Sequence, residues 1–313
     1  MVAASLEASR PRLKPGTYAG YVHLYESRNL PTFGKQRIAA VTSQDVELLV
    51  GKLVAAGRAS STIHNHYVAL NKVFRYAMRH RLITHNPCEA VELPKPGSRE
   101  DFAAVFLTLP QVESIAAELD LWYPYGLLVR FAAYTGLRSG ELAGLRVKDM
   151  DLAGNRVFVR QTIRRINGKW TVGTPKSKNS TREVPFARRS PVVDLREYLL
   201  THPNSGDPDA LLWPARSNGS RRLDYTRPID CGGVRSYYLV PAAARLGIAA
   251  HMRFHDLRHT YASLMLAARF EPFEVARYLG HSGLVLLART YGHMYATEPN
   301  AVADKFESYA QAQ

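Results

Sequence analysis

Apolar positions in the first hundred residues recur three and four apart, the spacing of a single helix face. Tyr18, Tyr21, Val22 and Tyr25 keep that rhythm, and Thr42-Ser43-Gln44-Asp45 reads as an N-terminal cap ahead of Val46, Leu48, Leu49 and Leu53. The longest pattern follows Ser60-Ser61, either of which can cap it. Ile63, Tyr67, Leu70, Phe74 and Ala77 line one face, while His64, Asn71, Lys72, Arg75 and Arg79 fall on others, and Asn86-Pro87 closes the segment. The run from Pro94 to Asp101, with two prolines, a glycine and four charges, is the clearest break in the chain. This predicts a helical domain over residues 1–95, a linker at 96–102 and a second domain over 103–313.

The second domain opens with helical text at Pro110-Gln111-Val112-Glu113 and again from Tyr125 to Ala133. Strands follow. Residues Arg156 to Ile163 alternate apolar and polar, Asn167-Gly168 is the dipeptide of a tight hairpin, and Lys169 to Val172 returns. A turn from Pro175 to Ser180 leads to a third short strand, Arg182 to Phe186, and the pattern beyond Pro191 reads as helical to the end. The expected fold class is mainly α with a small antiparallel β-sheet: a helical domain followed by an α+β domain.

Charge changes the picture. Across 313 residues, 41 Lys and Arg against 27 Asp and Glu give +14 and a pI near 9.8, an imbalance that points to a polyanionic partner. Nucleic acid is the first candidate and an anionic membrane the second, but no run approaches the roughly 18 apolar residues of a spanning helix, and the N-terminus lacks a signal-type apolar core. Two cysteines, Cys88 and Cys231, fit a reducing cytoplasm and leave no room for a disulfide framework. A charged helix face is by itself ordinarily a solvated one. In so basic a chain, Lys72, Arg75 and Arg79 become candidates for DNA phosphates.

The stretch HDLRH places His255, Arg258 and His259 on one helix face, suited to an anion, a metal or a solvated turn. His255 and His259 have the spacing of a zinc-binding helix, with His281 or His293 as a third ligand. Against a metal, Asp256 stands where a zinc protease carries its glutamate, and Arg258 would repel a cation. Thr135-Gly136-Leu137-Arg138-Ser139-Gly140-Glu141-Leu142 sets Arg138 at a helix start with Glu141 three residues on. That pair is either a surface ion pair or a guanidinium held from one side by Glu141 while a phosphate takes the other.

The ordered set TGLRSGEL, a lysine in a β-turn, HDLRH, LGHS and RTYGHM resembles the tyrosine recombinase, or phage integrase, family. The resemblance spans the second domain, and the first domain is similar to the family's helical core-binding domain. It implies a catalytic set of Arg138, Lys176, His255, Arg258, His281 and Tyr291, with Glu141 and His259 behind it. The arginines would stabilise charge on the scissile phosphate, His255 would accept the proton of Tyr291, and Lys176, preferred over Lys178 and Lys169, would protonate the leaving 5′-hydroxyl. Tyr291, ten residues after His281, is singled out among 17 tyrosines, with Tyr295 as its control. His259 has no required role in this chemistry and reads as a packing residue, or one that touches DNA or orients His255.

The segment from Gly283 to Arg289 is more apolar than the Ser/Thr-rich stretch of relatives. The resemblance also implies a homotetramer on two double-stranded DNA duplexes, a 3′-phosphotyrosine, a Holliday junction and accessory DNA-bending proteins, with no ATP, metal or other cofactor. A tail bearing Tyr295, Val302, Phe306 and Tyr309 would dock on a neighbour or on its own domain, and the N-terminal arm-binding domain of many phage integrases would be reduced or absent. Two alternatives remain open at this point: a DNA-binding protein that does not cut, and a type IB topoisomerase.

Overall fold

The computed structural model describes residues 1–95, 104–173, 181–186, 190–216, 222–281 and 283–292, with positions 307 and 311 besides. Two compact units divide the chain: Met1–Ala103 with Ile166–Lys169, and Ala104–Arg165 with Trp170–Gln313.

Five helices build the first unit: α1 (Val2–Ser9), α2 (Pro15–Leu24), α3 (Leu30–Phe33), α4 (Ser43–Ala55) and α5 (Ser60–Arg79). Thr42 caps α4 reciprocally, its hydroxyl accepting from the Asp45 amide at 3.2 Å while the Asp45 carboxylate accepts from the Thr42 amide at 2.9 Å. Such a cap contributes about 1 kcal/mol. The apolar stripe of α5 is buried at Ile63, Leu70, Phe74 and Ala77, and Tyr25 is buried with its hydroxyl donating to the Ala69 carbonyl at 2.8 Å. The expected serine cap is not there. Ala59 occupies the cap position, and Ser60, already inside the first turn, donates its hydroxyl to the Lys95 carbonyl instead.

In the second unit α6 (Leu109–Asp120) and α7 (Tyr125–Thr135) pack together, followed by the short α8 (Ser139–Ala143). Three small antiparallel pieces come next. Strands β1 (Met150–Asp151), β2 (Arg156–Val159) and β5 (Arg182–Pro185) form one sheet in the order β1-β2-β5, with Val159 opposite Arg182. Strands β3 (Thr162–Ile166) and β4 (Lys169–Gly173) form the hairpin, whose Asn167 and Gly168 both take positive φ, 48° and 77°, as a type I′ turn requires. The alternating run from Arg156 to Ile163 is therefore two strands in two sheets rather than one. Side chains break it at its middle: Arg160 pairs with Asp149 at 2.7 Å and Gln161 donates to the Gly144 carbonyl at 2.9 Å.

Helix α9 (Ser190–Leu200) precedes a third sheet, β6 (Pro214–Arg216) with β7 (Leu223–Pro228), where sequence periodicity predicts helix. Strand β6 is only three residues long and β7 does not alternate in burial; Trp213, just before β6, is buried on Tyr198 and Phe131. Helices α10 (Cys231–Val234), α11 (Val240–Arg245), α12 (Asp256–Ala267), α13 (Pro272–Leu279) and α14 (Leu284–Tyr291) complete the described unit. Helix α12 runs through the core, burying Leu257, Tyr261, Ala262 and Leu266. Among the described residues no helix is long and apolar enough to cross a membrane.

Candidate active site

Helix α7 ends at Gly136, whose φ of +62° turns the chain sharply toward α8. A Cβ there would lie 2.4 Å from the Tyr261 ring, so the turn and its approach to α12 both require glycine. The turn delivers Arg138 to the start of α8. Its backbone amide donates to Glu141 at 2.8 Å, its guanidinium donates to the other oxygen of the same carboxylate at 2.9 Å, and to the Gly280 carbonyl at 3.3 Å.

Glu141 is 1% exposed and carries a second arginine. Arg182, at the head of β5 and 6% exposed at its side chain, grips both carboxylate oxygens at 3.1 and 3.0 Å and donates through Nε to the Tyr278 carbonyl. Burial works to raise the pKa of Glu141, but the hydrogen bonds and charge of Arg182, reinforced by Arg138, win and hold it at about 2. The carboxylate is ionised at any physiological pH.

Arg258, in the first turn of α12 and 3% exposed, donates to the Gly136 carbonyl at 2.7 Å and to the Leu279 carbonyl at 2.5 Å. Arg182, Arg258 and Arg138 thus take the carbonyls of Tyr278, Leu279 and Gly280 in succession. A helix end leaves such carbonyls without intrahelical partners and presents partial negative charge. The end of α13 therefore fixes the guanidinia. Burial, then Arg138, pushes Arg258 down to about 9, with Glu141 opposing, so it stays protonated at neutral pH. Arg138 and Arg182 bond the carboxylate of Glu141 and Arg258 lies within its field, so three guanidinia face one carboxylate, and a surplus of positive charge is a site prepared for an anion.

His281 follows Gly280, which takes φ +66°. Its Nδ1 is buried with no hydrogen-bond partner among the described residues. Burial, then Arg258, Arg138, Arg182 and His255, pushes its pKa down to about 3. His255 occupies the position just before α12 and is exposed, its side chain making no cap bond; partial desolvation, then His259, Arg258, Arg138 and Arg253, pushes it down to about 4. Both rings are neutral at pH 7.

Tyr291 ends α14 and is 2% exposed. Burial raises its pKa above the ordinary phenol value, against the opposing pull of Arg258. Its hydroxyl lies 2.7 Å from His259 Nδ1. Phe106 stands edge-on to both rings, at 6.2 Å from His259 and 5.9 Å from Tyr291, and the next residue, Leu107, is pinned to α12 by its amide bond to the Thr260 hydroxyl at 3.1 Å. The hydrogen-bond partner of the phenol is thus His259, whereas the resemblance gave its proton to His255. His255 stands beside His259, ring centroids 5.0 Å apart. A helix turn explains the exchange: the two rings share one face, and α14 meets it at the later one.

Residues 105–298 match the family model of the phage integrases. The chain belongs to the phage integrase family. It is thus a tyrosine recombinase, an enzyme of site-specific DNA recombination. The tyrosine recombinase XerC of Alcanivorax borkumensis is 29% identical over 296 residues, covering 92% of this chain and 86% of that one. The fold is shared with the Tn1549 transposon integrase in complex with transposon right end DNA (TM-score 0.79, 19% identity, 99% of each chain). It is shared too with a lambda integrase in a tetramer bound to a Holliday junction (TM-score 0.66, 17% identity, 92% of this chain and 75% of that one).

In this recombinase the matched stretch contains every member of the cluster, from Arg138 to Tyr291. The second unit brings together Arg138, Glu141, His255, Arg258, His259, His281 and Tyr291. Lys176 and Lys178 lie outside the described residues, as do His293 and the tail positions Tyr295, Val302, Phe306 and Tyr309. Among the described residues no group of three or more His, Cys, Asp or Glu side chains could hold a metal ion.

Within the first unit Lys72, Arg75 and Arg79 line one groove of 410 Å³ on α5, joined by Arg12, Tyr21 and Asn71. Lys72 lies over the Tyr21 ring at 4.7 Å, and burial, then Arg12 and Arg79, lowers its pKa. Sequence reasoning missed Arg12, Arg182 and Phe106. Of these only Arg182 left a trace, an arginine at the head of a strand whose next apolar residue is buried.

Proposed function

We propose that this recombinase cuts one DNA strand at a time by attack of the Tyr291 phenol on a phosphodiester. The products are a 3′-phosphotyrosine and a 5′-hydroxyl, and another strand's 5′-hydroxyl then reverses the step. What carries the reading is the surplus positive charge around Glu141, with Arg258 close enough to pull on the buried Tyr291 phenol. A phosphodiester gains charge on its nonbridging oxygens as a fifth bond forms. Arg138 and Arg258, already fixed by carbonyls, meet that charge without reorganising. His281 adds a hydrogen bond to the phosphate, and Glu141 and Arg182 hold Arg138 in place. The departing 5′ oxygen needs a proton, which Lys176 supplies. The covalent bond keeps the phosphodiester energy, so neither ATP nor a metal is asked for.

In this proposal residues 1–95 are the core-binding domain, with Lys72, Arg75 and Arg79 on DNA phosphates, residues 96–102 the linker, and residues 103–313 the catalytic domain. The enzyme works in the cytoplasm as a homotetramer on two duplexes, passes through a Holliday junction and takes accessory DNA-bending proteins where its sites require them. The shared fold of a lambda integrase tetramer on such a junction supports this assembly.

The test is a nicked suicide substrate, drawn from a random-sequence library selected for binding, whose cleaved end diffuses away and traps the adduct. Wild type and Tyr295→Phe are expected to form a protein–DNA adduct insensitive to EDTA, and Tyr291→Phe none. DNA binding without any adduct would make this chain a binding protein. Relaxation of supercoils without strand exchange would make it a topoisomerase.

A further inference from the structure

The chemistry above needs an acceptor for the phenol proton, and the side chain placed to be one is His259. Its Nδ1 stands 2.7 Å from the Tyr291 hydroxyl, inside the range for direct proton transfer. Three contacts fix the pair: the Phe106 edge against both rings, the Leu107 amide on Thr260, and the helical bond from the His259 amide to the His255 carbonyl at 3.2 Å. We propose that His259 is a catalytic residue of cleavage, its Nδ1 taking the Tyr291 proton as the phenol oxygen bonds to phosphorus.

The step balances. The Tyr291 O–H bond breaks and its proton goes to Nδ1, the O–P bond forms, and the P–O5′ bond breaks with its electron pair leaving on a 5′ oxygen that Lys176 protonates. This rests on the reading of Tyr291 as nucleophile. Burial raises the phenol and lowers the imidazole, which keeps His259 neutral and ready to accept but makes transfer uphill while no phosphate is bound. Bond formation reverses that balance, because the charge leaving the phenol passes to phosphate oxygens held by Arg138 and Arg258. The tyrosine is therefore idle away from DNA, and His255 is released from the acceptor role.

Single-turnover cleavage of the suicide substrate by the full chain tests this with His259→Asn, whose amide oxygen can accept the hydrogen bond but not the proton, and with His259→Phe. Both are expected to lose about 10²- to 10⁴-fold in cleavage rate while DNA affinity holds. Placing 3-fluorotyrosine, a more acidic phenol, at position 291 is expected to recover at least about tenfold in His259→Asn and to change wild type little. A merely structural histidine would give no such recovery. Cleavage by His259→Asn within about threefold of wild type would overturn the inference. So would a loss that fluorination leaves untouched, or a recovery seen only in His255→Asn. An adduct that persists in Tyr291→Phe would remove the underlying reading as well; its absence there with active His259 variants removes this inference alone.

Discussion

Glu141→Gln keeps the shape of the side chain and removes its charge from between Arg138 and Arg182. The pKa of Glu141 falls from an ordinary 4.5 to about 2 on folding, so ionisation is favoured by roughly 3 kcal/mol at neutral pH, taking 1.36 kcal/mol per unit. Glutamine resembles the protonated acid, and the variant is expected to lose about that much, near the lower end for breaking a buried ion pair. All three tryptophans, Trp122, Trp170 and Trp213, lie beyond residue 103, so their fluorescence in urea reports the second unit by itself. The midpoint should fall by about 1 M for a urea slope of 2–3 kcal/mol/M. Because the folded pKa lies below the unfolded one, this contribution is present above about pH 4.5 and is lost as pH falls through about 2. Wild type and variant should therefore converge in acid. A variant within about 0.5 kcal/mol of wild type at pH 7, or one whose deficit is as large at pH 3 as at pH 7, would refute the argument that Glu141 is held ionised by the arginines.

Arg258→Lys keeps a charge but loses the fork that spans the Gly136 and Leu279 carbonyls; single-turnover cleavage should fall by about 10²-fold or more with affinity nearly unchanged, and an equal fall in both would contradict the fixed-fork account. His255 and His281 are pushed down to about 4 and about 3 by burial and neighbouring cations. A bound phosphate offsets those cations and raises both, so DNA binding should take up protons and tighten as pH falls from about 6 toward 4. Affinities that are flat or weaken over that range would count against it. Lys72→Ala and Arg75→Ala should each weaken binding about equally on all sequences and reduce the log–log salt slope by about 0.9. Unchanged slopes would take the α5 groove off the DNA.

Periodicity made the helices legible because one face of each is buried: the stripe of α5 and the capped start of α4 can be read without any partner. The Asn167-Gly168 turn is legible for a similar reason, since few residue pairs accept positive φ twice. What stayed hidden depends on partners distant in sequence. Arg182 looks like any strand-end arginine until the Glu141 carboxylate, 41 residues away, folds against it. The run from Arg156 to Ile163 reads as one strand because alternation carries no information about the bonds of Arg160 and Gln161 that divide it. His259 and His255 are equivalent on a helical wheel, and only the arrival of α14, 32 residues on, distinguishes them. The motif order carries the family and the crowding of its residues; the hydrogen bonds within the cluster come from the fold.

In the proposed reaction Tyr291 forms the covalent bond to DNA. Trapped adduct can be digested with nuclease and trypsin and the peptides fragmented in a mass spectrometer. Cleavage after Arg289 and Lys305 leaves one peptide holding both Tyr291 and Tyr295. A nucleotide 3′-phosphate is expected on Tyr291 in that peptide, and the same mass on Tyr295 or on any other residue would rule Tyr291 out as the nucleophile.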